Sequence, residues 1–278
     1  MRTGCLAIIG AVVLALMLPV AAQASPVLFE ASGPNAASIQ ATVDGFRTAV
    51  GSPNNATGLN NPGPLASGRR EINWNTGPQF LVLVRPPLRL ENAGALLTTG
   101  GTGLLQFQPD FTLTPLGFST FSPSKVFTPV GSNVTDVTFF IPGFGSLEPA
   151  TVFAFGAVFT DVDLLGPTMI ELFGPGDVPL FSQSVLAGPT PTGSQSFLGV
   201  LFNSGELITR ARITTGNTPI FFTGSDIDNI DNPGGGVDVV AMDDFIYSEP
   251  QAVPEPSTLA LLAFGAVCTS IARRRRNG

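Results

Sequence analysis

Carboxylates crowd two apolar strands of this chain, and a separate box joins arginine to the only tryptophan. The run Asp238-Val239-Val240-Ala241-Met242-Asp243-Asp244-Phe245-Ile246-Tyr247 sets an acidic pair inside an apolar strand. Burying such a pair is costly unless a positive side chain or a cation neutralises it. Strict alternation places Asp243, Phe245 and Tyr247 on one face, with Met242, Asp244 and Ile246 on the other. Asp161 and Asp163 end a second apolar strand and offer a second pair. Calcium takes about six to eight oxygen ligands, many of them carboxylates. A structural calcium joining Asp161, Asp163, Asp243 and Asp244 is one expectation. The others are salt bridges to Arg210 or Arg212, and simple exposure at the strand ends.

The box is Gly68-Arg69-Arg70-Glu71-Ile72-Asn73-Trp74-Asn75. Two readings stand. In one, Ile72 and Trp74 alternate inward on a strand while the polar residues face out. In the other, Trp74 is a stacking platform for a sugar, with Arg69 and Arg70 as donors beside it. Weaker patterns carry less. Asp226, Asp228 and Asp231 imitate part of a calcium loop, but Ile230 occupies a ligand position and the central glycine is missing, so a solvated acidic loop is expected. Ser122-Pro123-Ser124-Lys125 fits S-x-x-K, yet Lys125 is the only lysine, so no companion K-T-G box exists.

The elements that must position these groups are mostly strands. One amphipathic helix is expected near 36–50, because Ile39, Val43, Phe46 and Val50 recur at helical spacing. Asn35 or Ser38 can cap its start, and Gly51 with Pro53 ends it. Residues 51–68 read as a loop rich in Gly, Pro and Asn. Strands are expected at 80–84, 104–108, 135–141, 152–162, 168–173, 196–202, 207–214 and 237–247. The run 152–162 is apolar at nearly every position, which predicts burial on both faces. Many short strands separated by Gly/Pro turns read as a mainly β, antiparallel, jelly-roll-like β-sandwich.

Composition narrows the chemistry. Between the end segments, over residues 25–252, eight basic residues face nineteen acidic ones, a formal charge of −11. Nucleic acid is excluded as a partner, since phosphate binding needs a basic footprint. The chain has no histidine, and both cysteines (Cys5 and Cys268) lie in the end segments. The central region therefore holds no disulfide, thiol nucleophile, imidazole base or zinc site of the usual ligands. A hydrophobic core must hold the fold, and 22 phenylalanines supply it.

The two ends read as addresses. Arg2, the apolar run Leu6–Val20 and the Ala22-Gln23-Ala24 site make residues 1–24 a signal peptide, with signal peptidase cutting before Ser25. At the other end, Pro254-Glu255-Pro256 precedes an apolar stretch at 257–272, and Arg273, Arg274, Arg275 and Arg276 follow. That stretch is a candidate transmembrane helix, short for a hydrocarbon core of ~30 Å. The arginine cluster would hold its far end in the cytoplasm.

The tail at 253–278 resembles the PEP-CTERM sorting signal of Gram-negative bacteria. The resemblance implies passage through the export machinery, transient residence in the inner membrane, and handling by an exosortase near the Pro-Glu-Pro box. It also implies an association with exopolysaccharide and biofilm. The exported region further resembles PEP-CTERM proteins that carry a Gly-Arg-Arg-Glu-Ile-Asn-Trp box (68–74), a Ser-Phe-Leu-Gly-Val strand (196–200), an Ile-Thr-Thr-Gly strand end (213–216) and a terminal Asp-Asp-Phe-Ile-Tyr (243–247). In that pattern an aspartate follows the tryptophan; here it is Asn75. The expectation is an exported, non-enzymatic cell-surface or matrix protein. The alternative is a secreted carbohydrate-active enzyme drawing two carboxylates from Glu71, Glu171, Asp161 and Asp243, or a lectin-like sugar-binding module.

Overall fold

The computed structural model describes residues 25–56, 61–75, 82–109, 117–223, 226–227 and 231–253. The expected signal peptide (1–24) and membrane helix (257–272) lie outside the described residues, as do Pro254, Glu255, Pro256 and Arg273–Arg276. Among the described residues, no helix is long and apolar enough to cross a membrane.

The described residues open with β1 (Val27–Gly33), then α1 (Ala36–Val50), β2 (Arg69–Ile72), β3 (Val82–Val84), β4 (Leu88–Leu90) and β5 (Ala95–Thr98). It continues through β6 (Gly103–Phe107), β7 (Val126–Val130), β8 (Val134–Phe139), β9 (Ala150–Thr151), β10 (Ala154–Thr160) and β11 (Met169–Phe173). The last elements are β12 (Pro179–Ser184), β13 (Gln195–Leu201), β14 (Arg210–Thr214), β15 (Phe222–Thr223), β16 (Asp226–Ile227), β17 (Ala241–Ser248) and β18 (Gln251–Ala252). An eight-stranded sheet runs β1-β13-β10-β17-β7-β6-β3, with β2 also paired to β17. A six-stranded sheet runs β12-β11-β14-β8-β5-β4. The strands of both sheets pair antiparallel.

One apolar core is shared by the two sheets. Phe155, Phe159, Leu198, Met242, Phe245 and Tyr247 come from the larger sheet, and Leu97, Val137, Ile170, Leu172, Ala211 and Ile213 from the smaller. The outer face of the larger sheet is covered as well. There α1 lays Ile39, Val43, Phe46 and Val50 onto Ala154, Val158, Phe197 and Ile246. This makes every residue of β10 buried, as the unbroken apolar run predicts. In the smaller sheet, β8, β11 and β14 alternate between buried and half-exposed positions, the pattern of a sheet with one solvated face.

The helix forms where its apolar stripe lies. Asn35 is the N-cap, accepting from the Ser38 N–H at 3.2 Å, and Gly51 ends the helix with φ 118°. Phe46 presses into the sheet at Gly156 and Gly199, which face each other across β10 and β13. A Cβ on Gly199 would lie 2.8 Å from the Phe46 ring. Two glycines thus make the dimple that seats the helix.

Strict alternation fails in β17. Ala157 pairs with Phe245 and Phe159 with Met242, so Asp243 and Asp244 together oppose the single residue Val158. This is a β-bulge, two residues against one. It turns Met242 to the core side with Phe245 and Tyr247 rather than to the face of Ile246. Residues 248–252 belong to the folded body. Ser248 ends β17, Glu249 is buried, and β18 pairs with β9 through Ala252.

Candidate functional site

The arginine–tryptophan box and the terminal acidic strand lie side by side. Strand β2 pairs with β17 in the register Ile72↔Phe245, Glu71↔Ile246, Arg70↔Tyr247 and Arg69↔Ser248. Strand β2 ends at Ile72, and Trp74 takes a φ of 58°, in the left-handed region that few non-glycine residues enter. Its indole stacks on Phe127 at 3.9 Å between centroids, and its Nε1–H donates to the Asp243 carbonyl at 2.7 Å. Phe245 meets it edge-on. At 5% exposure Trp74 has no open face for a sugar. Of the two readings of the box, Ile72 and Trp74 follow the inward one, and a sugar platform at Trp74 with Arg69 and Arg70 beside it has no exposed indole to use.

The arginines are engaged inward too. Arg70 is fully buried and forms a parallel pair of charge-assisted bonds to Glu249, Nε to Oε2 and Nη2 to Oε1, each 2.8 Å. Its Nη1 donates to the carbonyls of Asn61 and Asn92. Arg69 donates to Glu71 at 2.6 Å and to the Gly51 carbonyl at 3.0 Å. Asn75, standing where the related pattern has aspartate, donates to Ser122 Oγ at 3.1 Å while its Oδ1 accepts from the Lys125 N–H at 3.3 Å.

Two acidic groupings result, not one. Asp243 and Asp244 sit in the bulge, both buried. The Phe121 N–H donates to Asp243 Oδ2 at 2.6 Å, and Ser122 Oγ lies 2.6 Å from Asp244 Oδ1. Arg47 of α1 reaches Asp244 Oδ2 at 3.0 Å and Glu71 Oε2 at 2.8 Å. Burial, reinforced by the neighbouring Asp244, pushes Asp243 up to about 9. Burial also raises Asp244, although Ser122, Asp243 and Arg47 all pull it back down. Both carboxyls are thus pushed towards the neutral form by burial, Asp243 the more so through its neighbour, and Asp244 is the member that Arg47 reaches. Arg210 and Arg212 are elsewhere, bound to Asp136 at 2.8 and 2.9 Å on the smaller sheet. A single calcium site built from Asp161, Asp163, Asp243 and Asp244 is not what the chain forms.

The other grouping gathers Asp161, Asp163, Asp231 and Asp238. One carboxylate oxygen from each of Asp161, Asp163 and Asp231 lies within 4.8 Å of the others. Asp161 follows β10 with φ 69°, and its Oδ1 accepts from the Gly193 N–H at 3.1 Å. Asp238 accepts from the N–H groups of Asp163 and Leu164, each at 3.3 Å, and so shapes the turn that carries Asp163. Asp231 accepts from the Val239 N–H at 2.8 Å. Burial first, then mutual repulsion, pushes Asp161 up to about 8 and Asp163 to about 7. Burial with the charge of Asp231 raises Asp238 to about 6. Asp231, expected in a solvated loop, is thus a member of this cluster. Its 68-residue separation from Asp163 hid it from any local spacing rule.

The four carboxylates named for a glycosidase pair come from both sheets. Glu71 is held by Arg47 and Arg69, Asp243 is inside the bulge, Glu171 lies on β11 of the smaller sheet, and Asp161 belongs to the four-aspartate cluster.

Among the described residues these features define a mainly β, antiparallel protein with one α-helix, its acidic and arginine groups braced inside and its last described strand ending at Ala252. From that residue onward the chain carries the PEP-CTERM protein-sorting motif, which matches residues 252–276. The motif marks an exosortase-processed protein that is exported to the surface through a membrane-associated C-terminal step. No curated protein and no solved structure matches the chain.

Proposed function

We propose that the chain is a non-enzymatic surface or matrix protein, a jelly-roll-like β-sandwich released or displayed through a processed tail. The observation that carries this reading is the join at Ala252, where the last paired strand stops and the sorting motif starts. Cutting near Pro254-Glu255-Pro256 would spare every strand of the folded body. The start fits equally well, because removal of residues 1–24 leaves Ser25 two residues ahead of β1. The partner proposed is exopolysaccharide or a neighbouring surface protein, contacted outside the box at 68–75, whose side chains are used internally.

Mass spectrometry of surface-extracted protein tests the sorting reading. The expected product begins at Ser25 and lacks everything after the Pro-Glu-Pro region; an intact tail on surface protein overturns it. Co-sedimentation of the released protein with the producing cell's own exopolysaccharide tests the partner.

A further inference from the structure

The cluster at the end of β10 has acceptors that the protein leaves without donors. Asp161 is 1% exposed, and with Oδ1 taken by Gly193 its Oδ2 is buried and meets no donor among the described residues. Asp163 Oδ2 is buried and unmatched in the same way. No ion pair found among the described residues involves Asp161, Asp163, Asp231 or Asp238. Buried carboxyl oxygens without partners are among the most expensive groups a fold can hold.

We propose that Asp161, Asp163 and Asp231 bind one calcium ion, which pins the 231–240 segment to the end of the eight-stranded sheet. Oxygens within 4.8 Å of one another suit a single cation with bonds of roughly 2.3–2.6 Å. The two unmatched oxygens become ligands, and Asp231 brings a third carboxylate from the other side. The scaffold around them is fixed by backbone donors. Gly193 orients Asp161, the Asp238 carboxylate holds the N–H groups of Asp163 and Leu164, and Val239 orients Asp231. Asp238 acts here as a positioning residue, since both its oxygens are occupied. Magnesium is a poorer fit, because it demands near-octahedral geometry and gives up water reluctantly. The inference uses the exported location only as the source of the ion, so it can fail while the sorting reading stands.

The test uses the full-length chain purified in detergent and stripped with chelator. Calcium titration by calorimetry should show one saturable site, and the melting temperature should climb with calcium concentration. Asp163→Asn and Asp231→Asn should each weaken binding by at least about tenfold. Asp177→Asn, which removes an exposed carboxylate paired with Arg210, should bind as wild type does. In chelator, Asp231→Asn should melt above wild type, because one of the repelling charges is gone, yet gain little when calcium is added. A residue important only for folding would melt lower in both conditions. Absence of a saturable heat, binding unchanged in both cluster variants, or an equal response to magnesium would overturn the assignment.

Discussion

Arg70 carries its charge with no exposure at all, and Glu249 accepts two of its N–H groups side by side. Asn55 and the Leu65 N–H complete the shell of Glu249. Such a pair holds position more than it adds stability, because desolvating both charges offsets most of their attraction. Breaking it is another matter. Arg70→Met leaves the buried Glu249 carboxyl without its arginine partner, and should cost about 3–5 kcal/mol in urea unfolding. The double variant Arg70→Met/Glu249→Leu should recover most of that loss. Asp243 makes the complementary case, an acid pushed up by burial and by the carboxyl of Asp244 beside it. Its folded value near 9 lies above the ordinary 3.8, so the folded state binds the proton more tightly than the unfolded chain. The stability this contributes is fully present below pH about 4 and is lost as pH climbs towards about 9. The groups facing it are Asp244, Ser122, Arg47 and Glu71. Asp243→Asn keeps the acceptor for Phe121 and a donor towards Asp244 without the titration. Denaturation at pH ~5 and pH ~8 should show wild type losing more stability across that interval than the variant.

At the scale of elements, α1 depends on the paired glycines beneath it. Gly199→Ala would place a Cβ 2.8 Å from the Phe46 ring and 2.9 Å from that of Phe197. Both rings are fully buried, so the helix must lift or the strand must shift. The expected loss is about 1–3 kcal/mol, read from urea unfolding. Phe46→Ala, which leaves the dimple unfilled, should lose about 3–5 kcal/mol. The helix was legible to the residue in its stripe of Ile39, Val43, Phe46 and Val50, because amphipathic periodicity is a local signal. Long apolar runs such as β10 and β13 were legible for the same reason. The strands β4, β5, β7 and β12 were not. They span three to six residues, β7 contains Pro129 and β12 opens on Pro179, so propensity argued against them. Strand β1 escaped because Glu30, Ser32 and Gly33 dilute its apolar pattern. The bulge escaped because alternation assumes an unbroken ladder. Of the candidate metal ligands, Asp161 and Asp163 stood out as a pair ending a strand, whereas Asp231 joins them only through tertiary folding.

Across the whole molecule, the order of strands in space departs from their order in the chain. Strand β17, almost the last to leave any export channel, lies in the middle of the eight-stranded sheet with β10 on one edge and β7 and β2 sharing the other. It brings Met242, Phe245 and Tyr247 to the common core and Ile246 to the face under α1. Folding therefore cannot close until residues 241–248 have been made, just ahead of the sorting motif that begins at Ala252. This separates two truncations that differ by few residues. A chain ending at Val253 keeps every described strand and the Arg70–Glu249 pair, and should melt at the temperature of the full-length protein. A chain ending at Val240 loses the central strand, the bulge carboxylates and the partner of Arg70 together. It should show no cooperative transition by calorimetry or near-ultraviolet dichroism. If the Val240 truncation melted cooperatively, the central placement of β17 would be wrong. If the Val253 truncation were destabilised, the tail would belong to the folded body and could not serve as a detachable handle.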